Sequence, residues 1–132
     1  MRAAVACVDA VYTVDVETEE VFERDEDAVL ERPPAPQTGL PLVVSAAAAG
    51  STVVAVVDRR PPLAISHDAG RTWHEAGGGL PKGRAVAVAE DNPDLVLYAA
   101  RNRLYLSTDG GRFWRSLAPE LPEIEAVSWL DI

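Results

Sequence analysis

The phrase SHDAGRTW at residues 66–73 returns at residues 107–114 as STDGGRFW, displaced by 41 positions. A chain that writes one turn-like phrase twice at a fixed interval is built from repeated supersecondary units. The flanking text repeats too: STVVAVVDRRPPLAISHDAGRTWHEAGGGLP aligns with DLVLYAARNRLYLSTDGGRFWRSLAPELP. Each copy reads as strand, turn, strand, Asp-containing turn, strand. A further alternating run precedes each copy, PLVVSAAA and then RAVAVAED, so a unit holds four strands.

The phrase has a physical rationale. An Asp side chain accepts hydrogen bonds from the backbone amides of the turn that follows it. Gly70 and Gly111 supply positive φ at the tight corner. Trp73 and Trp114 then cover the hairpin with a large apolar ring. Ser66, Asp68, Gly70 and Trp73, with Ser107, Asp109, Gly111 and Trp114, are therefore expected to be structural. A period of about 40 residues with short strands is that of a β-propeller blade.

The pattern S-x-D-x-G-x-x-W resembles the Asp-box, or bacterial neuraminidase repeat, found in sialidases, sortilin-type receptors and propeller assembly factors of photosynthetic membranes. Ser66, Asp68, Gly70, Thr72 and Trp73 match it fully, and the second copy matches with Phe113 in place of Thr. The resemblance covers residues 41–118 or so and implies an all-β propeller. It implies little about activity, because in the family the box lies on the face away from the active site.

Residues 1–24 read as a decayed third copy, with strands at 3–8, 11–16 and 20–24. Tyr12 aligns with Tyr105, and Phe22 falls near the Trp position. Residues 25–40 form an acidic, proline-rich connection. The last stretch, 124–132, alternates like a first strand. A single domain, 1–132, is thus expected, with one blade completed by strands from both termini and further blades at 41–80 and 84–122. Propellers typically have about four to eight blades. Two chains of three blades each would close a six-bladed ring, and this homodimer is the leading expectation. The alternative is an open three-blade fragment whose edges are capped by a different protein.

Composition fits one soluble domain. Apolar residues make up 48% of the 132 positions, enough for an ordinary core. No apolar run is long enough to span a bilayer, and Asp9 interrupts the N-terminal stretch before a secretory segment forms, so a cytoplasmic protein without membrane association is expected. Cys7 stands alone, which excludes an intrachain disulfide and a cysteine metal cluster. The net charge is −9, and Lys82 is the sole lysine beside eleven arginines. This composition resembles the acidic style of salt-accumulating halophilic archaea; a GC-rich genome encoding a moderately acidic protein is the alternative. Residues 1–31 hold ten carboxylates against two arginines, which argues against nucleic-acid binding by that part.

The resemblance to sialidases implies an arginine triad, a nucleophilic Tyr with its Glu, and an acid–base Asp. Tyr12, Tyr98 and Tyr105 sit inside strands, and the arginine motif before the first box is missing, so an enzyme is the least expected outcome. His67 and His74 could meet across a hairpin, but without a third ligand the metal reading is weak. Asp68 and Asp109 lack the D-x-D-x-D-G loop of a calcium site, and GGGLPKGR lacks the spacing of a phosphate loop. No cofactor is expected. One constellation remains. In a four-stranded blade the turns between strands two and three share a face with the connections between blades, which gathers Arg59, Arg60, Lys82, Arg84, Arg101 and Arg103. These residues are solubilising turn cations or a binding surface. The leading functional expectation is a non-catalytic scaffold that binds a protein through this loop face. The second is recognition of a small anion, nucleotide or acidic glycan by the arginines.

Overall fold

The computed structural model describes residues 1–30 and 34–131. Glu31, Arg32 and Pro33 of the proline-rich connection, and Ile132 of the expected last strand, lie outside the described residues. Those described form twelve strands and no helix, arranged as three four-stranded antiparallel sheets. Blade A contains β1 (Arg2–Cys7), β2 (Val11–Asp15), β3 (Glu20–Asp25) and β12 (Ile124–Asp131), in the order β12-β1-β2-β3. Blade B contains β4 (Val43–Ala49), β5 (Thr52–Val57), β6 (Leu63–Ser66) and β7 (His74–Ala76) in sequential order. Blade C repeats that order with β8 (Ala85–Ala89), β9 (Asn92–Ala99), β10 (Leu104–Ser107) and β11 (Arg115–Ser116).

The strands form where apolar residues alternate or run together, and the register shows which face each serves. Ala3, Val5 and Cys7 of β1, with Val14 of β2, meet Leu97, Leu104 and Leu106 of blade C in one apolar cluster. The opposite face of blade C, carrying Val86, Val96 and Tyr98, packs on Val54, Val56, Leu63 and Ile65 of blade B. Blade C is therefore buried on both sides, as the near-continuous apolar run Leu95 to Ala100 requires. In space the blades follow one another as B, C, A, with the innermost strands β4, β8 and β12 side by side.

The first blade is completed within one chain. β12 pairs antiparallel with β1, setting Val5 opposite Val127 and Ala3 opposite Trp129. No strand need be exchanged between copies to finish it. This closure explains the uneven connections. The links from β7 to β8 and from β11 to β12 span residues 77–84 and 117–123, while the link from β3 to β4 spans 26–42. The short links join neighbouring blades, whereas the long one runs from one end of the arc to the other.

Trp129 is half-buried against the cluster shared by blades A and C, and its indole N–H donates to the Ala87 carbonyl at 3.3 Å. It also lines a central cleft of about 760 Å³ between the innermost strands. The residue thus packs between blades and lines the cleft at once.

Candidate functional site

The two repeated turns are built alike. In the first, the Ser66 hydroxyl donates to Asp68 Oδ1 at 2.7 Å and accepts from the Gly70 amide at 2.8 Å. Asp68 then accepts from the Thr72 amide at 2.9 Å and the Thr72 hydroxyl at 2.6 Å. In the second, Ser107 donates to Asp109 at 2.8 Å and accepts from Gly111 at 2.8 Å. Asp109 accepts from the amides of Arg112 and Phe113 at 3.1 and 3.0 Å. Both serines are buried, so each hydroxyl fully uses its donor and acceptor inside the turn. The hydrogen bonds favour the charged carboxylates. The Thr72 hydroxyl, then its amide and the Ser66 hydroxyl, hold Asp68 far below the usual range. The Phe113 amide, then the Ser107 hydroxyl, lower Asp109.

These turns also join blades. Gly111, at φ +94°, lies where a Cβ would come within 2.5 Å of Ile65 Cδ1 on blade B. The second turn is therefore seated on the neighbouring sheet, and its left-handed φ at that close approach favours Gly. Trp114 stacks edge-on against Tyr98 with ring centroids 5.9 Å apart, while its Nε1–H donates to the Gly111 carbonyl at 3.1 Å. The equivalent turn of blade A keeps a reduced version. Asp15 accepts from the amides of Glu17 and Thr18 at 2.9 and 3.0 Å, an ordinary Asx turn without a partnering Ser or Gly. Sequence reasoning missed Asp15, since it falls outside the repeated spacing. Phe22 does not take the place of the tryptophans. It is half exposed on β3, at an irregularity in the ladder between Thr13 and Val14.

The basic residues gather on the opposite side, and main-chain bonds hold the turns there together. The Val8 amide reaches the Glu123 carbonyl at 3.0 Å, Ile124 reaches Arg101 at 2.7 Å, and Leu121 reaches Asn102 at 2.8 Å. Lys82, Arg101 and Arg103 border one shallow pocket with Glu120. Four of the six cations are paired with carboxylates. Lys82 meets Asp58 at 3.1 Å, Arg103 meets Glu120 at 2.8 Å, and Glu123 takes both Arg84 at 3.0 Å and Arg101 at 3.5 Å. Arg59 and Arg60 are exposed and have no carboxylate partner among the described residues. The pairing carboxylates come from Asp58 and from the link that precedes β12, positions that sequence spacing alone did not mark. The matching turn of blade A is acidic, with Asp9 accepting from the Tyr12 hydroxyl at 2.9 Å and from Arg24 at 3.4 Å.

Other reactive groups are spread apart. His67 and His74 stack with centroids 5.4 Å apart, but no group of three or more His, Cys, Asp or Glu converges as metal ligands among the described residues. Cys7 is buried, and desolvation pushes its thiol up to about 11, which makes it a poor nucleophile. The central cleft is lined mainly by Ala, Val and Pro, with Glu90 its only titratable lining residue among those described.

The architecture is that of a β-propeller segment. No family model matches the chain, and no curated protein matches its sequence. Solved structures do share the fold. The chain is similar to YCF48, solved bound to D1 peptide, with a TM-score of 0.52, 18% identity and 93% of the chain covered. It is also similar to the GH74 enzyme of Niastella koreensis, with a TM-score of 0.53, 21% identity and 91% covered. It spans 38% of the first of these structures and 18% of the second.

Proposed function

We propose that the protein is a non-catalytic propeller scaffold that binds a protein partner across the face carrying Arg59, Arg60 and Arg101. The observation that carries this reading is the interleaving of charge on that face. Lys82, Arg84, Arg101 and Arg103 are interspersed with Asp58, Glu120 and Glu123 in close pairs. A surface of both signs suits the mixed rim of a protein interface. A site for a small anion needs cations that converge unpaired on one point, and carboxylates already occupy four of these six. The peptide bound to the fold relative YCF48 supports a protein partner. The two Ser–Asp–Gly turns, read as Asp-box repeats, are the scaffold of this design.

The test is capture of native partners by the intact protein, compared with an Arg59→Glu, Arg60→Glu, Arg101→Glu triple variant. Turn-tip changes leave the core untouched, so melting should be unchanged while capture is lost. A control pair on the opposite side, Arg71→Glu and Arg112→Glu, should retain it. A triple variant that captures every partner at unchanged yield would refute the assignment. A retained small anion in the purified protein, lost on the same substitutions, would favour the anion-binding reading.

A further inference from the structure

The outermost strand of each blade is an open sheet edge, and the three edges differ. β7 and β11 are three and two residues long, too short to template another strand. β3 runs six residues, every one of them exposed, and it lies last in the sheet order with only β2 beside it. Its edge carries neither Pro nor Lys, and its charges are chiefly carboxylates, which guard it against strands of like charge but not against a basic one.

Two further features set this edge apart. The register passes from Thr13 opposite Glu23 to Val14 opposite Val21, so Phe22 is an extra residue bulged out of the ladder. A bulge re-aims its side chain, and this ring is 46% exposed, with Val21 beside it at 39%. Glu20, Glu23 and Asp25 stand opposite Asp15, Thr13 and Val11, and they share one face by the alternation of the partner strand. None of the three forms an ion pair among the described residues. A second copy of this strand would bring like charges together, which opposes self-pairing.

We propose that β3 is a docking edge for an extended, basic segment of a partner protein. The segment adds a strand beside Glu20–Asp25, sets Lys or Arg against the carboxylates, and covers Phe22 with an apolar side chain. Backbone pairing supplies affinity and the alternate side chains supply selection. The surface is separate from the arginine-bearing turns, so the inference stands whether or not those turns bind anything.

The probe is a labelled ten-residue peptide alternating Lys and Val, with a second version N-methylated along one backbone edge. Fluorescence anisotropy of the intact protein should show binding of the first at physiological salt and about tenfold weaker binding by a Glu23→Lys, Asp25→Lys variant. Hydrogen exchange should slow at the amides of 20–25 when the first peptide is bound. Phe22→Ser should weaken binding without changing the melting temperature. Equal binding of the N-methylated peptide would reduce the contact to diffuse charge attraction and overturn the proposal. So would protection that appears elsewhere in the fold, or equal binding of an alternating Glu–Val peptide.

Discussion

Arg2 and Asp131 clasp the two ends of the chain. The Arg2 guanidinium donates through Nε to Asp131 Oδ2 at 2.7 Å, and the Arg2 backbone amide reaches Asp131 Oδ1 at 3.1 Å. Both side chains are about half exposed, so solvent screens the ion pair and the ladder between β1 and β12 carries most of the latch. A variant lacking residues 124–132 loses that ladder together with Ile124 and Val127 of the core. It is expected to lack near-ultraviolet dichroism and to aggregate. Adding a synthetic peptide of those nine residues should restore the signal. A truncated protein that melts cooperatively on its own would show that the latch is dispensable.

Pairing within one chain bears on the expected six-bladed ring. The arc ends on blades A and B and leaves room for a second copy to join end to end without strand exchange. A dimeric mass is expected from light scattering at micromolar concentration. A well-folded monomer would overturn the six-bladed ring.

Acid should destabilise the protein through the Asp turns. Asp68 and Asp109 are held below their ordinary values when folded, so the unfolded chain binds protons first as pH falls. Their contribution is fully present above the ordinary carboxylate range, near pH 4, and is lost progressively below it. Melting temperature is expected to hold steady from pH 7 to about 5 and to fall steeply under pH 4. Asp68→Asn and Asp109→Asn should lower the neutral plateau and flatten the acid limb. An acid limb unchanged in the double variant would shift the cause to other carboxylates.

Ala69 sits at φ +60°, where the second turn places Gly110 at +74°. A left-handed conformation costs an L-residue about 1–2 kcal/mol. Part of that gain is offset by the greater freedom of glycine in the unfolded chain. Ala69→Gly is expected to stabilise the protein by about 0.5–1 kcal/mol in urea unfolding, and Gly110→Ala to destabilise it by a similar amount. The opposite signs would mean that the two turns differ in backbone strain.

Gly83 is buried beneath Tyr98. A Cβ there would lie 2.4 Å from the phenolic oxygen and 2.6 Å from Cζ, while that hydroxyl donates to the Pro81 carbonyl at 2.5 Å. The ring is fixed between blades and cannot retreat. Gly83→Ala should cost about 1–3 kcal/mol as an overpacking change, read as a lowered urea midpoint with an unchanged slope. A neutral result would show that the link between blades B and C shifts freely.

Much of the blade architecture was legible because its signals are local. Asp68 with Gly70, and Asp109 with Gly111, act within their own turns, and the continuous apolar runs Val53 to Val57 and Leu104 to Leu106 mark strands directly. What escaped depended on which surfaces converge. The pairing of Glu123 with Arg84 and Arg101 joins different links between blades, so spacing could not reveal it. Asp15 was hidden because an Asx turn needs only one side chain. Phe22 aligned with a tryptophan by count, but the bulge moved it out of register and onto an open edge.

The pairing of β12 with β1 also sets a timetable. Residues 1–25 leave the ribosome well before residues 124–131, so their sheet stays one strand short until β12 has been made. Contacts of such long sequence separation are costly to form and slow folding, so blades B and C are placed to assemble before blade A. Covalently the protein is a line, but structurally it is nearly a loop, opened in the middle of its first blade. Joining the old ends and reopening the chain within the 26–42 connection would yield three blades written in order, each complete in its own stretch of sequence. That rearranged chain should reach the same arc faster, because no sheet would have to wait for a strand made so much later.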